Sequence, residues 1–154
     1  MDRAIRTSAK ALIIRDGKVL AVRLRDGEEV FHIMPGGGQR AGETLPDAVA
    51  REVAEETGVR VRAGDLAFVI EGTEGEAFHR VDLVFQCEYL GKIENAELLG
   101  DTHQVGCDWL DIATLNRSTL YPSRLRRAIM NRYEGKPQRV YLGVENAGDP
   151  EEIG

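Results

Sequence analysis

Residues 37–59 read GGQRAGETLPDAVAREVAEETGV, a glycine-rich stretch that runs directly into a helix signal. Thr44 offers an N-cap oxygen, and Asp47 three residues on is a capping-box-like partner. Pro46 falls in the first turn, where its missing N–H is harmless, and Gly58 is a good C′ stop. A helix is therefore predicted over Leu45 to Thr57. At about 100° per residue, with Glu52 at zero, Glu55 lies near 300° and Glu56 near 40°, so the three carboxylates share an arc of about 100°. They sit beside the apolar stripe of Val49 and Val53 rather than opposite it.

Carboxylates packed this closely repel one another, and near a helix C-terminus the macrodipole opposes them as well. Hard divalent cations with oxygen ligands resolve the conflict. Arg51, one turn before Glu55, can pair with that side chain and hold it. The preceding Gly36, Gly37 and Gly38 are read as a loop that lets the backbone approach a ligand, with a carbonyl free to complete a metal site.

Working outward, two apolar runs flank Asp16-Gly17, a hairpin signal. Val30 to Met34 reads as a short strand stopped by Pro35. Strands are expected at Val59 to Val61, Leu66 to Gly72, Val81 to Leu90, Val105 to Leu110 and Arg139 to Val144. Asp111 to Leu115 reads as one helical turn. A second helix is expected from Pro122 to Tyr133, burying Leu125, Ile129 and Tyr133 and leaving Arg124, Arg126 and Arg127 on a solvated face. The tail from Glu145 is expected to fray. This order suggests a layered domain of mixed α and β elements.

The chain has 154 residues, one domain's worth, with 42% hydrophobic residues, enough for a core. Its 20 Lys+Arg against 26 Asp+Glu give a net charge of −6, which argues against holding duplex nucleic acid on a broad basic surface. Cys87 and Cys107 are too few for a disulfide framework and read as reduced thiols. No run approaches the ~18 apolar residues of a membrane span, and no signal-type segment is visible, so a cytoplasmic location is expected.

The segment carries Gly37, then Glu43 after five residues, then Arg51-Glu52-Val53 after seven, Glu55-Glu56 after one, and Gly58-Val59 after one more. Those nine positions over twenty-three residues resemble the Nudix box without a departure. The resemblance implies one Nudix domain over 1–154, an α/β/α sandwich with a mixed β-sheet. It implies a Mg²⁺- or Mn²⁺-dependent hydrolase that cleaves the pyrophosphate linkage of a nucleoside diphosphate-X substrate, such as a nucleoside triphosphate, ADP-ribose or a nucleotide sugar. By position, Glu52, Glu55 and Glu56 resemble the metal ligands and the Gly36 carbonyl the backbone ligand. Arg51 resembles the residue that orients the glutamates, Glu43 the one that braces the loop, and Glu52 or Glu55 the general base. A homodimer is common in the family and is carried as an expectation, with a small nucleotide as partner and no membrane.

Outside the box, Arg23 and Arg25 alternate with Val22 and Leu24 and are expected, with Gly37 and Gly38, to meet substrate. Phe31, His32 and Met34 could face a base, although Phe31 reads rather as core packing and His32 as a hydrogen-bonded structural residue; Arg80 could meet a phosphate but reads rather as a surface residue, and Trp109 should pack in the core. Glu97 or Asp101, in the loop that also holds His103 and Gln104, could add a ligand or base. The competing reading is a non-catalytic Nudix-like module that senses a nucleotide metabolite; such modules usually lose box glutamates, and all are kept here. An EF-hand is excluded, because no twelve-residue loop of alternating oxygen ligands exists.

Overall fold

The computed structural model describes residues 3–75, 77–95 and 104–151. The elements are β1 (Ile5–Arg15), β2 (Lys18–Asp26), β3 (Glu29–Ile33), β4 (Gly36–Gly38), α1 (Leu45–Thr57), β5 (Val59–Gly72), β6 (His79–Lys92), β7 (Gln104–Asp111), a 3-10 turn (Ile112–Arg117), α2 (Arg124–Tyr133) and β8 (Tyr141–Val144). The strands run in the order β3-β2-β1-β6-β5-β8, with β4 paired to β1 and β7 to β2. β1–β6 and β5–β8 are parallel and the other pairs antiparallel, so the sheet is mixed.

Local chemistry accounts for these elements. Asp16 (φ 51°) and Gly17 (φ 74°) both take positive φ, which a two-residue hairpin turn requires, and Ile14 then faces Val19. Along β1 the pleat sends Ala9, Ala11 and Ile13 to one face, where they pack with Ala48, Val49 and Val53 of α1. Leu12 points to the other face, against Leu125, Ala128 and Ile129 of α2. One sheet therefore separates two apolar layers, each closed by a helix, and the α/β/α sandwich stands. Among the described residues no helix is long and apolar enough to cross a membrane.

Several expectations need correction. The glycines 36–38 form a strand rather than a loop, with Ser8, Ala9 and Lys10 facing Gly38, Gly37 and Gly36. The two strands expected in 59–72 are one strand, bent by register shifts near Arg60 and Ala63. In α2, Tyr133 is half exposed, whereas Arg126 is 4% exposed. Arg126 Nε donates to the Leu120 carbonyl (2.7 Å), and its guanidinium stacks over Tyr121, 4.8 Å from the ring centre. An aliphatic stem with a bonded head is buried readily, so a basic run did not mark a solvated face. Residues 145–151 lie against the body: the Glu145 carboxylate accepts from Ser123 N (2.6 Å), and Asn146 Oδ1 from Thr73 N (2.8 Å).

Candidate functional site

The site is built where β4 passes over α1. Thr44 Oγ1 accepts from Asp47 N (3.2 Å), and Gly58 ends the helix at φ 70°. Two glycines then set how close strand and helix come. Gly36 sits at φ 136°, and a Cβ there would lie 2.2 Å from the Ala9 carbonyl oxygen. A Cβ on Gly37 would lie 2.7 Å from the Glu52 carboxylate. Only a bare backbone fits between β1 and the glutamate face.

Arg51 organises the acids. Its Nε and Nη2 bond both oxygens of Glu43 (2.7 and 2.9 Å), a bidentate pair. Its Nη1 donates to Glu52 Oε1 (2.9 Å) and reaches Glu55 only at 3.4 Å, while Nη2 also caps the Gly38 carbonyl (3.1 Å). Glu43 accepts from Arg40 N as well (3.1 Å). Arg51 and that N–H hold the Glu43 carboxyl down to about 2, and Glu43 in turn pushes the Arg51 guanidinium above its ordinary value.

Glu56 is set apart from its neighbours. Its Oε1 accepts from Gly36 N (2.6 Å), and Gln104 Nε2 donates to its backbone carbonyl (2.6 Å). Burial pushes its carboxyl up to about 7, against the pull of the Gly36 N–H and Lys10, with Glu52 and Glu55 adding to the rise.

The three glutamates and the Gly36 carbonyl are all hard oxygen donors, the type that suits Mg²⁺ or Mn²⁺. As placed, no three acidic, His or Cys side chains among the described residues converge tightly enough to grip an ion. The Arg51 cation bridges Glu52 and Glu55 instead, and the long Glu55 contact is the looser of the two. The donor chemistry suits a divalent cation, and Glu55, more loosely held than Glu52, is the acid freer to move.

Next to this face lies a cleft of about 810 Å³, with Lys10, Phe31, Met34, Arg80, Asp82 and Tyr121 among its lining residues. Phe31 and Tyr121 meet edge to face, 6.4 Å between ring centres. Lys10 Nζ is 3.5 Å from the Gly36 carbonyl, where the cleft meets the glutamates. Sequence reasoning missed Lys10 and Asp82, although Lys10 is a single charge between apolar residues of β1 and Asp82 stands between Val81 and Leu83 in β6.

The structure brings Arg51, Glu52, Glu55, Glu56, Gly36, Gly37 and Gly38 together, but it places Arg23 and Arg25 elsewhere. Neither lines the cleft. Arg23 Nη1 binds the Asp108 carboxylate (2.9 and 3.1 Å), and Arg25 is exposed, opposite Val30 near the end of the β2–β3 pair. Asp108 also bonds His32 Nε2 (2.8 Å), whose Nδ1 meets Thr119 Oγ1 (2.8 Å), so His32 ties β3 to β7 and the chain after the 3-10 turn. Trp109 is partly buried against the α1 layer. Cys87 and Cys107 are free thiols, and burial pushes Cys87 up to about 12. Glu97, Asp101 and His103 lie outside the described residues.

Comparison with known proteins agrees with this geometry. The NUDIX domain model matches residues 5–131. A MutT-like protein of Streptomyces ambofaciens is 33% identical over 125 residues, 79% of this chain and 75% of that protein. A NUDIX hydrolase from Nitrosomonas europaea superposes with a TM-score of 0.71 at 22% identity, covering 88% of this chain and 93% of its own. An ADP-ribose pyrophosphatase from Streptococcus suis superposes with a TM-score of 0.65 at 19% identity, covering 91% and 98%.

Proposed function

The chain belongs to the NUDIX family as a Nudix hydrolase, and from that membership we propose that it cleaves the pyrophosphate linkage of a nucleoside diphosphate-X substrate with the help of Mg²⁺ or Mn²⁺. The observation that carries this reading is the acidic face itself. Glu56 is buried beside Gly36 with its carboxyl pushed up to about 7, and Glu52 and Glu55 stand next to it. An acidic protein with this face repels a diphosphate unless a cation lies between them.

Glu52, Glu55, Glu56 and the Gly36 carbonyl would hold the cation. Bound there, it would neutralise phosphate oxygens and make a water more acidic. Glu52 or Glu55 takes the proton of the attacking water, and Glu55 is the more available because its hold on Arg51 is longer. Arg51, locked by Glu43, fixes the direction of the Glu52 carboxylate. Gly37 and Gly38 let the diphosphate lie close to the backbone.

A panel of nucleoside triphosphates, ADP-ribose and UDP-glucose, assayed with Mg²⁺, tests this. Hydrolysis of at least one class, stopped by a chelator and restored by Mg²⁺, is the expected result. No turnover on any of them would favour the sensing module instead.

A further inference from the structure

The cleft floor contains a buried acid that the hydrolytic reading does not use. Asp82 is 4% exposed. Its Oδ2 accepts from Arg80 Nε (2.8 Å), while Oδ1 is closed to solvent and, among the described residues, has no hydrogen-bond partner. An unmade bond on a buried acceptor costs about 1–3 kcal/mol and more if charged, so a stability role alone does not explain this oxygen. Register places it. Asp82 lies opposite Ser8 of β1 and Ile70 of β5, and Lys10 lies opposite Val84, so Lys10, Asp82, Val84 and Ile70 share one face of the sheet. All four line the cleft.

Direction along the cleft follows from its two ends. Lys10 marks the end next to the Gly36 carbonyl and Glu56. The edge-to-face pair Phe31 and Tyr121 gives the cleft an aromatic wall suited to a flat ring. Rotation about a carboxylate's χ2 is soft, so Asp82 can turn an oxygen toward a ligand while Arg80 keeps the other.

We propose that Asp82 is a specificity-determining residue that accepts a hydrogen bond from the exocyclic amino group of a substrate nucleobase lying in this cleft. This rests on the reading that the glutamate face holds the substrate's diphosphate. With the phosphates fixed there, the ring cannot slide to re-present its edge. An amino group opposite Asp82 donates; an oxo group at the same ring position points a lone pair at a carboxylate. Amino-bearing bases are selected and their oxo counterparts rejected.

The test is equilibrium binding, with Mg²⁺, of the α,β-methylene analogues of CTP and UTP and of ATP and ITP. Each pair exchanges an amino for an oxo group at one position. In the pair that binds, the amino member is expected to be at least about tenfold tighter. Asp82→Asn, whose amide can offer N–H to an oxo group, is expected to narrow that ratio to within about threefold. Methylenediphosphonate, which lacks a base, should bind both proteins alike, and both should melt cooperatively. Equal affinities within the wild-type pair, an unchanged ratio in Asp82→Asn, loss of methylenediphosphonate binding in the variant, or no binding by either pair would each overturn the proposal. Hydrolysis of the panel above without amino preference would remove this inference and leave the catalytic reading standing. Amino-selective binding without hydrolysis would do the reverse.

Discussion

Gly36→Ala is expected to lower the unfolding free energy by about 3–5 kcal/mol, more than any other single added methyl near the site. Two effects add. The position has φ 136°, a backbone conformation that side chains rarely adopt, and the new Cβ would lie 2.2 Å from the Ala9 carbonyl oxygen and 2.7 Å from Lys10 Cα. Both obstacles are backbone atoms of β1, the strand that pairs with β4 and β6, so neither can swing aside. Gly38→Ala is the control. Its Cβ would have nothing within 4 Å and its φ is not positive, so a change of less than about 1 kcal/mol is expected. Urea unfolding of both variants measures the difference. Similar midpoints would mean that β4 does not pack against β1 as described.

Glu56→Gln is expected to reduce turnover by at least about 100-fold while the protein stays folded. The amide keeps the shape and an acceptor for Gly36 N, but it removes the negative charge a cation needs. The same substitution has a separate effect on the metal-free protein. Burial raises the Glu56 carboxyl from 4.5 to about 7 in the folded state. Between those values the native state holds a proton that the unfolded chain has released, so stability falls as pH rises from about 4.5 to about 7 and levels off above. The loss is about 3 kcal/mol. Glu56→Gln should flatten that part of the curve and leave the variant more stable than the wild type above pH 7 without metal. Thermal unfolding in a chelator across this range measures it. A wild-type curve that climbs over the same window would mean that Glu56 is not buried as described.

What could be read from the chain followed the range of the physics involved. α1 was legible at both ends because its N-cap, Pro46 and Gly58 act within a few residues. The Asp16-Gly17 hairpin was legible for the same reason. The identity of β4 was not, because three glycines carry no strand propensity and become one only through Ser8, Ala9 and Lys10, some thirty positions away. The acidic face was readable from helical spacing, but spacing named Glu55 as the partner of Arg51, whereas the close partners are Glu43 and Glu52 and the bidentate pair with Glu43, eight positions back, carries no helical-spacing signal.

The cleft was the least legible part. Its floor comes from parallel pairing of β1 with β6, a contact that no local signal encodes, so Lys10 and Asp82 passed as incidental charges. Arg23 misled for the complementary reason. Alternation put it in the cleft, but Asp108 on the neighbouring β7 lies within reach and takes its guanidinium. Arg126 shows that a basic run on a helix does not separate a solvated residue from one tucked under an aromatic ring.

Anomalous diffraction from crystals soaked in Mn²⁺ tests the central claim most directly. A manganese peak among the carboxylates of Glu52, Glu55 and Glu56 and the Gly36 carbonyl, with Glu55 turned away from Arg51, is the predicted result. Occupied density elsewhere, or an empty glutamate face with Arg51 still bridging Glu52 and Glu55, would contradict it.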